Sequence, residues 1–284
     1  MAYRIKDGKK VWVAPKRPKV LKGKSLQPNA AAEAHYHQRL TRLIRRMTDI
    51  IDSDLKALFK GSTAKEYFAQ DASISAEARI LMNALIARCQ GLFDIAAKPL
   101  AERVASDASK SSAASLKHSI KELSQGLTLK TDMISGDIKD ILSATVTENV
   151  GLIKSIPSEY LTQVQGAVMR SITQGRGLAD LVPFLRKQED ITLRRARIIA
   201  RDQTRKAFSN LNFARMDKIG IEEYEWLHSA GGQKPRQLHV HMSGNIYRID
   251  KPPIIDEKTG QRGKPGDLIN CRCTAIPVVK FNEQ

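Results

Sequence analysis

The sequence predicts a mostly α protein with a small α+β module at its C-terminus. In this reading a helical body is followed by a long basic helix packed on a short three-stranded sheet. Three observations carry the prediction. Between Ala31 and Gly220 the apolar residues recur at helical spacings of three and four. From Arg194 to Gly220 one uninterrupted basic pattern, RRARIIARDQTRKAFSNLNFARMDKIG, sets a narrow face of small residues against a run of arginines. After Gly220 the texture changes to short aromatic and β-branched runs separated by turn formers.

The chain divides into four stretches: 1–24, 25–135, 136–220 and 221–284. Residues 1–24 hold nine Lys/Arg against one Asp, with Pro15 and Pro18. Proline and like charge both oppose a packed helix, so this is expected to be an extended or disordered basic arm. Lys9, Lys10, Lys16, Arg17 and Lys19 are its candidate contacts to nucleic-acid phosphates or to an acidic groove. A merely solvated terminus fits the same residues.

Leu40, Leu43, Ile44, Met47, Ile51, Leu55 and Leu58 form one stripe of a first helix, closed by Gly61-Ser62. Arg39, Arg42 and Arg46 lie on its other side, either as a DNA-facing ladder or as a wet face. A second helix is expected from a cap at Ser75, interrupted at Pro99. The Ser/Ala-rich stretch 106–115 reads as a loose helix or a loop, followed by a short helix through Leu116, Ile120 and Leu123. Cys89 reads as a small buried apolar residue. A further helix follows Gly136, and Ile156-Pro157 is expected to start another. A short helix over 178–187 and a break at Gln188-Glu189-Asp190 then lead to the basic helix, with Thr192 as candidate cap. Gly220 stops it.

Three strands are expected in the last stretch: Ile221 to Trp226, one holding Tyr247 and Ile249, and Cys271 to Val279. PPIIDEKTGQRGKPGD between the last two reads as a surface loop.

Composition narrows the class. An apolar fraction of 42% suits a folded chain. No apolar run is read as approaching the roughly 20 residues of a membrane span. The basic N-terminus lacks the apolar core of a secretory signal. Three cysteines, two of them in CxC, make no disulfide framework and fit synthesis in a reducing cytosol. A formal charge of +17 points to a polyanion nearby, nucleic acid first and an acidic protein surface second, with plain solubility as the blander reading.

The scarce polar specialists gather at the end of the chain. PRQLHVHMSG holds two of the six histidines, and NCRC holds two of the three cysteines. Two readings of His239, His241, Cys271 and Cys273 stay open. Together they could supply the four N/S ligands of a structural zinc site, or three of them could do so with water or another residue as the fourth. Alternatively the thiols are small buried groups under Trp226, with His239 bonded to a backbone carbonyl. Arg236 and Arg272 read as clamps on loop carboxylates or carbonyls, and Trp226 as a core anchor.

The ordered set of ARIIARDQTRKAFSNLNFAR, GIEEYEW, Arg236 with His239 three residues on, Gly244 five residues later, and KPGDLINCRCTAIP resembles a known family. This is the phage minor head proteins, the phage Mu F-like or head-morphogenesis family. Upstream, NVGLIKSIPSEY also looks like it, so the resemblance runs from roughly Asn149 to Val279. One departure matters: the family usually carries an Asp where this chain reads Ser229-Ala230-Gly231-Gly232.

The resemblance implies a non-enzymatic virion protein, made in the host cytoplasm and held in the capsid near the portal vertex. Its implied partners are portal protein, capsid or scaffold proteins, and double-stranded DNA bound without sequence preference. Arg201, Arg236, Gly244, Trp226 and Arg272 would then be structural or interaction residues. The alternative is a metal-dependent nuclease or toxin-like enzyme in the C-terminal module, with His239 as general base and Arg236 or Arg272 as oxyanion clamp. Against it, the cluster itself holds no carboxylate.

Overall fold

The computed structural model describes residues 2–6, 9–13, 20–61, 72–121, 123, 130–174, 177–230 and 234–280. Four long helices build the body: α1 (Ala30–Gly61), α2 (Ala72–Ile120), α3 (Gly136–Thr173) and α4 (Gly177–Lys218). The predicted stripe of α1 is buried, with Leu40, Ile44, Met47, Ile51 and Leu55 fully enclosed. Asn29 caps the helix by accepting the Ala31 N–H on its Oδ1 at 2.9 Å.

The expected breaks inside the later helices are absent. α2 runs through Pro99 and through the Ser-rich stretch; α3 runs through Pro157 and α4 through Pro183. Tertiary packing outweighs the local cost in each case. Phe93, Ala97, Leu100, Ala101 and Val104 keep α2 in the core on both sides of its proline. The serines of α2 face a buried arginine. Arg215 of α4 donates to Ser112 Oγ at 2.7 Å and to Ser109 Oγ at 2.9 Å. Thr192 is not a cap: its hydroxyl donates to the Gln188 carbonyl one turn back, inside the continuous α4.

α2 also corrects the composition reading. One stretch of it, with mean hydropathy 1.3, is long and apolar enough to suit a membrane span. The apolar residues at 78, 82, 85, 89 and 93 line the protein core.

Gly220 ends α4 as predicted. Its φ of 76° is left-handed, Ile221 N–H reaches Met216 O at 2.9 Å, and Gly220 N–H reaches Asp217 O at 3.0 Å. This double closure is a Schellman turn, which favours glycine at that place.

The C-terminal sheet has four antiparallel strands, not three, in the order β3-β8-β4-β5. β4 (Glu223–Leu227), β5 (Ile246–Arg248) and β8 (Thr274–Lys280) come from the expected stretches. The extra edge strand, β3 (Val20–Lys22), comes from the basic arm and pairs Val20 with Lys280. Upstream, β1 (Ala2–Lys6) and β2 (Lys9–Val13) form a separate two-stranded hairpin. The arm is therefore extended where it is described, but as paired strands. The Pro/Gly-rich loop holds a further hairpin, β6 (Ile254–Asp256) with β7 (Gln261–Arg262). A short helix, α5 (Gln237–His241), sits between β4 and β5.

Two main cores result. One lies among the four helices. The other joins Trp226, Tyr224, Phe213 and Met216 with Leu26 from the N-terminal segment and Leu116 from α2. The module thus draws on residues far outside 221–284.

A buried polar chain fixes the helices relative to each other. Tyr36 of α1 donates its hydroxyl to Asn149 Oδ1 at 2.9 Å. Asn149 of α3 donates to Thr145 O at 2.8 Å and to Gln203 Oε1 of α4 at 3.2 Å. Gln203 in turn donates to Glu148 Oε1 at 3.0 Å, which also holds Lys206 at 2.9 Å. Asn149→Leu leaves Tyr36 and Gln203 with unmet hydrogen bonds in a closed core. It should destabilise the protein by about 2–4 kcal/mol, read as a lower urea midpoint with an unchanged slope; an unchanged midpoint would contradict this.

A candidate metal centre in the C-terminal module

Three loops converge under Trp226, and each is fixed by specific contacts. α5 turns back onto the sheet at Gly244, whose φ of 87° is open to glycine at little cost. Gly244 N–H bonds to Trp226 O at 2.8 Å, and Trp226 N–H to Asn245 O at 2.9 Å. That clamp points His239 inward. The loop before β8 is pinned to α4. Ser209 Oγ donates to Pro265 O, and Asp202 Oδ1 accepts the N–H of Asn270 at 3.0 Å. Asn270 itself takes a left-handed φ of 60°. Gly266, with φ 98°, lies so close to α4 that a Cβ there would meet Ser209 Cβ at 3.1 Å. Arg236 closes the gap by donating to Ile269 O at 3.0 Å.

The result brings His239, Cys271 and Cys273 together, all buried. His239 Nε2 lies 3.1 Å from the Ile255 carbonyl. A carbonyl only accepts, so Nε2 carries a proton, and Nδ1 is the ring atom left to meet the thiols. That Nδ1 faces Cys271 Sγ at 3.6 Å and Cys273 Sγ at 3.7 Å. The Trp226 indole packs edge-on against the imidazole, with ring centres 5.1 Å apart.

The residues fit a tetrahedral metal. Zinc–nitrogen and zinc–sulfur bonds of about 2.0 and 2.3 Å place ligand atoms about 3.5 Å apart. The two observed separations are close to this. A backbone carbonyl on the far ring nitrogen is the usual outer partner of a metal-bound histidine. One sulfur is also prepared to carry charge. The thiol of Cys271 is pulled well below the usual range, by its hydrogen bond with Cys273, then by His239 and by the backbone N–H groups of Cys273 and Gly266, against the effect of burial. Cys273 is pushed up by that same hydrogen bond and by burial. The buried Trp226 indole N–H, without a conventional hydrogen-bond partner among the described residues, favours the Cys273 thiolate.

His241, the fourth ligand expected from the sequence, is not in the group. It is exposed, and its neighbour two residues back occupies the inward face of α5. Cys271 and Cys273 precede β8, where a strand was expected to hold both. Arg201 pairs with Glu33 of α1 at 3.5 Å, as does Arg205. Arg272 is half-buried, and Trp226 is fully enclosed. Arg39, Arg42 and Arg46 are exposed along α1. Lys9 and Lys10 lie on β2, while Lys16, Arg17 and Lys19 fall outside the described residues. Sequence reasoning missed Asp202, Ser209 and Gly266 as the anchors of the cysteine loop. Gly266 alone had a signal, its place in a Pro-Gly turn.

The architecture is that of a helical protein carrying a metal-competent α+β module on its last long helix. Residues 162–276, spanning the end of α3, α4 and most of the module, match the family described as Phage Mu protein F like protein. That bears out the family resemblance over this part of the chain, and the family is one of phage head proteins. A Haemophilus influenzae relative described as an uncharacterized protein is 37% identical over 150 residues, covering 53% of this chain and 32% of its own length. The chain therefore spans about a third of that relative. No solved structure is significantly similar.

Zinc titrated into the reduced, metal-free protein should bind at about one ion per chain, releasing protons from the thiols, so that affinity rises with pH. His241→Ala should bind normally, and Cys271→Ser should lose most of the affinity. Equal binding by wild type and Cys271→Ser would rule the thiol pair out as the site.

Proposed function

We propose that the protein is a phage minor head protein acting in head morphogenesis at the portal vertex, and that it sits inside the virion beside the packaged genome. The family match over residues 162–276 carries this reading. It coincides with the unit in which α4 holds the sheet and the His/Cys/Cys group, so the shared part is a built module and not a loose motif. Its partners in this reading are the portal protein, capsid or scaffold proteins, and double-stranded DNA. Synthesis would be in the host cytoplasm.

The metal in this reading is zinc in a structural role. The module's core is thin and three of its inward-facing segments are loops, so a metal joining α5 to the cysteine loop would hold the fold directly. His239 and Cys273 would fix the segments around β4, and Cys271 would tie them to α4 through the Asn270 turn.

Contact with DNA rests on charge. The net charge of +17 needs a polyanion, and phosphates accept arginine and lysine without regard to sequence. The exposed Arg39, Arg42 and Arg46 of α1 supply one surface, and the basic arm another.

Pull-down of the tagged protein from an infected-cell lysate should recover portal protein as the main partner; recovery of capsid protein alone would overturn the portal assignment. For DNA, the arm should be shortened only to residue 19, because β3 belongs to the sheet. Removing residues 1–19 should weaken binding to unrelated duplexes alike and flatten the salt slope, by roughly 0.9 for each phosphate that the arm neutralises. An unchanged slope would show that the arm does not touch DNA.

A further inference from the structure

We propose that His239, Cys271 and Cys273 form a three-ligand metal site whose fourth position is held by an exchangeable water, and that a neutral donor such as an imidazole can displace it. This rests on the metal reading above and says how that site is completed.

A tetrahedral centre needs four donors. Among the described residues, three ligand atoms lie within 4.8 Å of one another, and no fourth His, Cys, Asp or Glu joins them. The nearest alternatives are engaged elsewhere. His241 is turned to solvent. Asp202 accepts the Asn270 N–H at 3.0 Å, and Asp267 accepts the Lys264 N–H at 2.7 Å. Both carboxylates shape the cysteine loop from behind. His228 uses its Nδ1 to accept the Ala230 N–H at 3.2 Å.

Space for a water exists at the edge of the thiol pair. A small cleft lined by Cys273, Gly266, Thr274, Arg205 and Asn212 holds about 20 Å³, room for about one water. Its other walls, Leu26, Phe208, Phe213 and Ala275, are apolar, and it reaches Cys273 alone of the three ligands; the buried Oδ1 of Asn212, with no hydrogen-bond partner among the described residues, is the polar group open to such a water.

Charge decides which ligands the fourth position takes. Two thiolates and a neutral imidazole balance a divalent ion, so a neutral fourth ligand leaves the buried centre uncharged. An anion would leave an unpaired negative charge away from water. Water and imidazole are therefore favoured over azide or chloride. The exchange is a simple substitution: the water leaves with its electron pair, the incoming donor supplies its own, and nothing is oxidised.

The test uses the full chain loaded with cobalt(II), whose visible bands report coordination. The expected spectrum shows thiolate-to-cobalt charge transfer, together with ligand-field bands that shift saturably when imidazole is added. The shift should be the same in His241→Ala, and azide at equal concentration should shift the bands less; Asp202→Asn and Asp267→Asn test the two carboxylates as fourth ligands. Bands indifferent to imidazole would mean a closed four-ligand site and overturn the proposal. So would a response that appears only in one of the three variants, which would identify that residue as the fourth ligand. Failure of the reduced protein to take up cobalt at all would sink the metal reading itself, a result distinct from a closed site.

Discussion

The structure depends on one helix serving two cores. The middle of α4 buries Ala196, Ile199 and Ala200 among the other helices, and its last turns bury Phe208, Phe213 and Met216 under the sheet. Small residues in the first part let α1 and α3 approach closely; large ones in the second fill the wider gap to the strands. Between them, Asp202, Arg205 and Ser209 take the loop that carries the cysteines. The positions of Cys271 and Cys273 are thus inherited from α4 and not set by the loop's own preferences. A loop of Pro, Gly and charged residues would otherwise sample many conformations.

Polar groups set the registry of the body. Apolar stripes alone would tolerate a helix sliding by one turn. The Tyr36–Asn149–Gln203–Glu148 chain would not, because every member would lose its partner. Arg215 does the same between α4 and α2. It is 3% exposed and has serine hydroxyls in the place where a carboxylate is the commoner partner. Burial draws its pKa down, while the charge of Asp132 raises it. These hydrogen bonds explain why a Ser-rich stretch, a weak helix former by itself, stays helical over several turns of α2.

What could be read from the sequence follows from what is local. The stripe of α1, the Gly220 stop and the three C-terminal strands all leave a periodic or conformational mark on neighbouring residues, and the fold class follows from them. The prolines at 99, 157 and 183 misled because their cost is local, whereas the burial that overrides it comes from distant helices. The β3 strand was invisible for the same reason: Val20, Leu21 and Lys22 have no alternation to show, and only the edge of β8 gives them a partner. At the site, residue type found His239 and both cysteines, because few residues of those kinds occur. It could not separate His239 from His241, since direction around a five-residue helix is set by the anchoring of Arg236 and Gly244 and not by spacing.

The pairing of Val20 with Lys280 has a consequence for how the chain comes together. During synthesis the four helices can collapse on one another as they emerge, since they all lie within the first 218 residues. The segment bearing β3 must meanwhile wait, its edge unpaired, until β8 at Thr274–Lys280 has left the ribosome. Closing so long a loop costs chain entropy that only the β3–β8 pairing repays. Until it closes, the nascent sheet offers a free strand edge to any other chain assembling alongside it.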